Sequence, residues 1–199
     1  MKQTSLLFGI AMVFFLATFA NATPVFMEDF ESGSLNQWTG KSQGAHNGQI
    51  VDDPLQQDHA MNFTETNSAG DIFTSVNSFS AGKYEISFDY LGTSDDNDSG
   101  GYVGISQGFP GSHQWLWATG TVSNAQDVLI DDGAWHSYNF SFEAAYDFNL
   151  MLEDFRNGGV AGDAYFDNIE MSAVPEPGTF VLLGFGLLGA IGYCRKFRK

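Results

Sequence analysis

Between residues 23 and 174 the chain alternates apolar and polar positions with a period of two. Tyr84, Ile86, Phe88 and Tyr90 alternate with Glu85, Ser87, Asp89 and Leu91. His136, Tyr138, Phe140 and Phe142 alternate with Ser137, Asn139 and Ser141. Phe148, Leu150 and Leu152 do the same against Asn149, Met151 and Glu153, and Tyr165, Asp167, Ile169 and Met171 against Phe166, Asn168 and Glu170. A period of two is the signature of a strand with one buried face. Shorter candidate strands cover 25–30, 59–64, 71–76, 101–106 and 114–119. Turn-forming clusters separate the runs at Ser94–Gly101, Gly108–Ser112, Asp131–Gly133 and Asn157–Gly162, and no stretch keeps a helical apolar period over three turns. Many short strands spaced by such turns predict an all-β fold, an antiparallel sandwich or barrel.

The two ends of the chain follow a different pattern. Lys2, an apolar stretch from Leu6 to Ala20 and then Ala20-Asn21-Ala22 have the layout of a signal peptide, with cleavage expected after Ala22. At the other end Val174-Pro175-Glu176-Pro177 is followed by an uncharged apolar run over about 179–194, then by Arg195, Lys196, Arg198 and Lys199. The 16-residue run is slightly under the ~20 residues that span a bilayer comfortably. Flanking cations can snorkel to make up the difference, and the positive-inside rule places the basic end in the cytoplasm. The chain thus divides into a signal peptide (1–22), an outward-facing β-sandwich ectodomain (23–173) and a C-terminal segment (174–199).

Taken together, the Pro-Glu-Pro motif, the apolar run and the basic end resemble the PEP-CTERM sorting signal of Gram-negative bacteria. The resemblance implies recognition by an exosortase-type membrane transpeptidase, cleavage near the motif, and transfer of an inner-membrane-anchored intermediate to the cell surface or extracellular matrix. An ordinary C-terminal membrane anchor is the alternative.

Charge narrows the partners. Apart from the signal peptide and tail, the only cations are Lys41, Lys83 and Arg156, against 23 acidic residues. Such a surface repels nucleic acid and attracts cations. The one cysteine, Cys194, lies in the tail, so no disulfide framework exists.

Phe26-Met27-Glu28-Asp29-Phe30-Glu31-Ser32-Gly33 with Trp38, and Ala164-Tyr165-Phe166-Asp167-Asn168-Ile169, resemble the opening and closing strands of carbohydrate-binding-module-like jelly rolls. That resemblance implies a structural calcium ion held in part by Glu31 and Asp167. The residues themselves also allow Asp167 to be a buried acid satisfied by a backbone N–H or a lysine. Trp115 and Trp117 are two apart on an expected strand and so share a face. That face is either a platform for sugar rings, with Tyr102 and Trp135 as neighbours, or core; Trp38 is expected in the core. Asp95–Gly100 matches part of an EF-hand loop but lacks the closing glutamate and reads as a solvated acidic turn.

No catalytic constellation stands out. The histidines lack metal-ligand spacing, there is no nucleophile elbow, and Glu85 with Asp89 is a pair that 23 acids produce by chance. The sequence therefore predicts a non-enzymatic exported surface or matrix protein that binds extracellular polysaccharide. The alternatives are a structural or adhesion protein without glycan affinity, and a secreted glycan-active enzyme.

Overall fold

A computed structural model of the chain describes residues 24–40, 46–56, 58–64, 70–74, 79–93, 100–108, 114–120, 128–154, 162–175, 184 and 186. The signal peptide, Asp95–Ser99, Glu176 and Pro177, the basic end and nearly all of the apolar run lie outside the described residues. Among the described residues, no helix is long and apolar enough to cross a membrane.

Residues Pro24–Ala173 form one compact unit, whose described residues include the strands β1 (Pro24–Glu28), β2 (Trp38–Thr39), β3 (Gly48–Asp52), β4 (His59–Phe63), β5 (Gly70–Thr74), β6 (Gly82–Gly92), β7 (Gly101–Gln107), β8 (Gln114–Ala118), β9 (His136–Ala144), β10 (Asn149–Asp154) and β11 (Ala164–Ala173). They make two antiparallel sheets. Sheet A has the order β3-β4-β11-β6-β9, with β1 also on β11; sheet B has the order β2-β5-β10-β7-β8. The all-β antiparallel sandwich expected from the alternation is present.

The alternating residues build the core. Tyr84, Ile86, Phe88 and Tyr90 of β6, Phe142 of β9, Val103 and Ile105 of β7, Leu150 and Leu152 of β10, and Phe166, Ile169 and Met171 of β11 belong to a single buried cluster. Burial of this apolar surface is the main stabilising term. Trp117 of sheet B stacks on Phe142 of sheet A at 5.0 Å, joining the sheets, and Tyr84 stacks on Phe142 within sheet A at 5.6 Å. Trp38 is in the core, edge-on to Phe26 at 5.5 Å, and donates its indole N–H to Glu28 Oε2 at 3.2 Å.

Besides a register shift on β1 between Pro24 and Phe26, two single-residue irregularities position the candidate site. On β8, Trp117 pairs with Ile105 and Trp115 with Ser106, so one extra residue is inserted on β8 between them. On β11, Asp167 pairs with Asp89 and Glu170 with Ser87, again one residue too many. Asn168 in this second bulge has φ 49°, a left-handed conformation that asparagine tolerates better than most residues. A bulge of one residue reverses the face of everything beyond it.

Candidate functional site

The bulge on β8 corrects the expectation that Trp115 and Trp117 share a face. Trp117 points inward, is 7% exposed and packs on Phe140 and Phe142. Trp115 is turned to the outer face of sheet B, because the extra residue breaks the i, i+2 relation. There its ring lies over Gly104, so closely that a β-carbon at that position would come within 2.1 Å of Trp115 Cζ3. Any residue but glycine at 104 would displace the indole. Tyr102, two residues back on the same face of β7, packs against Trp115 with ring centroids 5.8 Å apart. Its own ring covers Gly120. Both rings are half-buried. At the end of the pair of strands, Gln107 Nε2 donates to Gln114 Oε1 at 3.0 Å, both side chains in solvent. The result is a short strip, aromatic along its length and amide-tipped at one end. It occupies the β7–β8 side of the face only. Further across, Met151 and Phe73, which lie opposite each other in register with Gly104, are buried.

The bulge on β11 corrects a second expectation. Asp167 does not share the face of Ile169 and Met171. Phe166 before the bulge and Ile169 and Met171 after it all enter the core, leaving Asp167 on the other face, directly across from Asp89. Like charges placed opposite each other repel. Asn168 bridges them, donating Nδ2 to Asp89 Oδ2 at 2.9 Å and to Asp167 Oδ2 at 3.1 Å, and its backbone N–H to Asp167 Oδ1 at 2.7 Å. Trp135, the other expected neighbour of the tryptophan pair, lies elsewhere, donating its indole N–H to Asp53 Oδ1 at 3.0 Å.

Asp167 sits where the neighbour of β11 changes. β4 pairs at Phe166, and β1 takes over from Ile169. The loops after β1 and between β3 and β4 meet over this break. Glu31 Oε1 accepts the backbone N–H of His59 at 2.7 Å. Asp167 is 4% exposed. Burial raises its pKa to about 7, with the charges of Asp58, Asp89 and Glu31 adding to the rise against the opposing Asn168 N–H. Asp58 is likewise raised, by burial and then by Asp53 and Glu31. The structure thus brings Glu31 and Asp167 into electrostatic contact and adds Asp58, Asp53 and Asn168, which sequence reading did not single out. No spacing signal could have found Asp58, since only the three-dimensional meeting of two loops carries it there. A groove of about 410 Å³ opens beside the cluster, lined by Met27, Glu28, Asp29, Gln37, Asn168 and Glu170 among others.

The donor set is all oxygen, which suits a hard cation. Asp53 Oδ2 and Asp58 Oδ1 are buried with no N–H or O–H donor on either, and the two carboxylates act on each other, which helps to raise the pKa of Asp58. Among the described residues, however, no three His, Cys, Asp or Glu side chains converge on one point that could hold a metal ion.

A protein-family model for the PEP-CTERM protein-sorting motif matches residues 173–198. No curated protein matches the chain in sequence. Among solved structures the chain is similar to the CBM22-1 xylan-binding domain from Paenibacillus barcinonensis Xyn10C, at 14% identity and a TM-score of 0.51, over 78% of this chain and 97% of that one. It is similar to a second xylan-binding domain from CBM22 at 12% identity and a TM-score of 0.51, over 78% and 96% of the two chains. It also resembles the CBM22-1-GH10 modules of Clostridium thermocellum endo-1,4-beta-D-xylanase 10B, complexed with xylohexaose, at 12% identity and a TM-score of 0.50, over 77% of this chain and 29% of that one. Residues 173–198 therefore carry a PEP-CTERM protein-sorting motif, and the strands before them take a jelly-roll fold similar to that of CBM22 xylan-binding domains.

Proposed function

We propose that this is an exported, non-enzymatic protein, sorted through its C-terminal motif to the surface or extracellular matrix of a Gram-negative bacterium, where the sandwich binds polysaccharide. The observation that carries the binding reading is the strip formed by Trp115 over Gly104 with Tyr102 beside it. Flat, half-exposed rings suit the apolar C–H faces of sugar rings, and the Gln107–Gln114 amides supply hydrogen bonds at one end. Its place on an outer sheet face of a carbohydrate-binding-module fold supports the same reading. Glu85 and Asp89, four residues apart on one strand, stand about 13 Å apart along it. That exceeds the separation used by either class of two-carboxylate glycosidase, and Asp89 is already engaged by Asn168 and Ser137.

Retention on insoluble xylan and on a panel of other β-linked glycans tests this. Trp115→Ala and Tyr102→Ala should each weaken retention at least about tenfold, or roughly 1.4 kcal/mol, with folding intact. Wild-type protein that binds no glycan in the panel would leave a structural matrix or adhesion role. Release of reducing sugar would show an enzyme instead.

The acid cluster is the second part of the proposal: Glu31 and Asp167 contribute oxygens to a structural calcium ion whose remaining ligands are backbone carbonyls and water. Support comes from the repulsion that Asp58, Asp89 and Glu31 exert on the buried Asp167, which a cation would relieve. At a calcium concentration 100 times the dissociation constant, the ion would stabilise the native state by about 2.7 kcal/mol, or roughly 5–10 °C in Tm. Chelation should remove that increment from the wild type and have no effect on Asp167→Asn. A wild-type melting curve that ignores chelation retires the ion.

A further inference from the structure

Both ends of the sandwich leave it at one place. Pro24, the first residue of β1, is the partner of Ser172 near the end of β11. On its other side β11 stays paired to its last residue, Ser172 with Glu85 and Ala173 with Tyr84. Pro175 of the sorting motif comes only two residues after Ala173, and five residues, 174–178, separate the strand from the apolar run that starts at Thr179. Fully extended, those five residues reach at most about 18 Å.

Enzymes and modules that read a peptide take it up as an extended segment of several residues. Upstream of the motif, only Val174 is available for that. The next residues, Ala173 and Ser172, are committed to the sheet, and Met171 before them is fully buried. We propose that the C-terminal end of β11 is a positioning element for processing: the sheet withholds the residues before Pro175 from the transpeptidase, and cleavage waits on fraying of Ser172 and Ala173 from β1 and β6. The inference rests on the reading of the tail as a processed sorting signal. Strand ends open locally at far less cost than the whole domain, so such a gate slows processing without preventing it.

The test is pulse-chase processing of the full chain in cells that contain the exosortase. A six-residue Gly-Ser spacer inserted between Ala173 and Val174 lies outside every strand and should leave the Tm of the ectodomain unchanged. It should shorten the processing half-time about tenfold, a change equal to roughly 1.4 kcal/mol. The same spacer inserted after Gly178 moves the motif away from the apolar run but not from β11, and should give no acceleration. An unchanged half-time with the upstream spacer overturns the proposal. So does equal acceleration from both spacers, which would make closeness to the bilayer the limiting factor. If wild type and variants all remain uncut with the enzyme present, the sorting reading itself fails and the gate with it.

Discussion

Alanine in place of Trp117 should destabilise the sandwich by about 3–5 kcal/mol, the range for removing a large aromatic from a packed core. Alanine in place of Trp115 should cost about 1 kcal/mol or less, as for a surface change. The two residues are the same type, two apart on one strand. Only the extra residue on β8 separates their fates. Trp117 fills the space between the sheets, stacked on Phe142 and tilted against Phe140 at 5.8 Å. Its loss leaves a cavity that these rings cannot close without leaving their own contacts. Trp115 rests on Gly104 from outside, so its loss opens a shallow depression that water fills. Urea unfolding of the two variants, beside glycan retention, separates the roles: one should lose stability, the other affinity. Equal destabilisation by both would place Trp115 in the core as well and remove the platform.

The second large effect concerns Asp154, at the end of β10. Its carboxylate is fully buried. Oδ2 accepts the backbone N–H groups of Gly162, Asp163 and Ala164 at 2.7, 3.3 and 3.3 Å, while Oδ1 is buried without a hydrogen-bond partner. Burial raises its pKa to about 7, and the charge of Asp163 adds to the rise, against the three N–H groups. Tyr90, whose hydroxyl donates to Asp131 Oδ1 at 2.7 Å, and Tyr165 lie within its field.

The folded state therefore holds a proton on Asp154 at pH values where the unfolded chain has lost it. That contribution to stability is fully present below about pH 3.8 and is lost as pH rises through about 7. At about 1.36 kcal/mol per unit, it amounts to at most about 4 kcal/mol. Urea unfolding at pH 5 and pH 8, with chelator present throughout, should show the wild type losing stability toward pH 8. Asp154→Asn should remove about half of that loss, since Asp167, also raised to about 7, titrates over the same range. The amide also changes the local hydrogen bonding at every pH, so the pH slope, not the level, is the readout. An identical slope in wild type and variant would mean that Asp154 ionises in the fold without penalty.

The long alternating runs were legible because β6, β9 and β10 with the Phe148 before it each carry three or more large apolar residues in strict period, and the structure uses them as written. β2 was not, since two residues have no period. β3 was not either: it is an edge strand none of whose residues is fully buried, so burial left no mark on its sequence. The candidate site was legible in its residues but not in its geometry. A bulge adds a residue without announcing it, because neither insertion involves glycine. Leu116 and Asn168 sit inside patterns that look continuous. Both site expectations assumed an unbroken pleat, and both were displaced to the opposite face. Tyr102 could be named as a neighbour only because the aromatic richness of the region suggested it.

The place of β11 in sheet A has a consequence for how the protein is made. It joins β6 and β9 on one side to β1, β3 and β4 on the other, yet it is made after all of them. Until it emerges, sheet A exists only as separate pieces that cannot bury their apolar faces against one another. Pairings between residues this far apart in sequence form slowly in any case. Sheet A is therefore closed from its middle, by a strand that can add only once both of its flanks have been made.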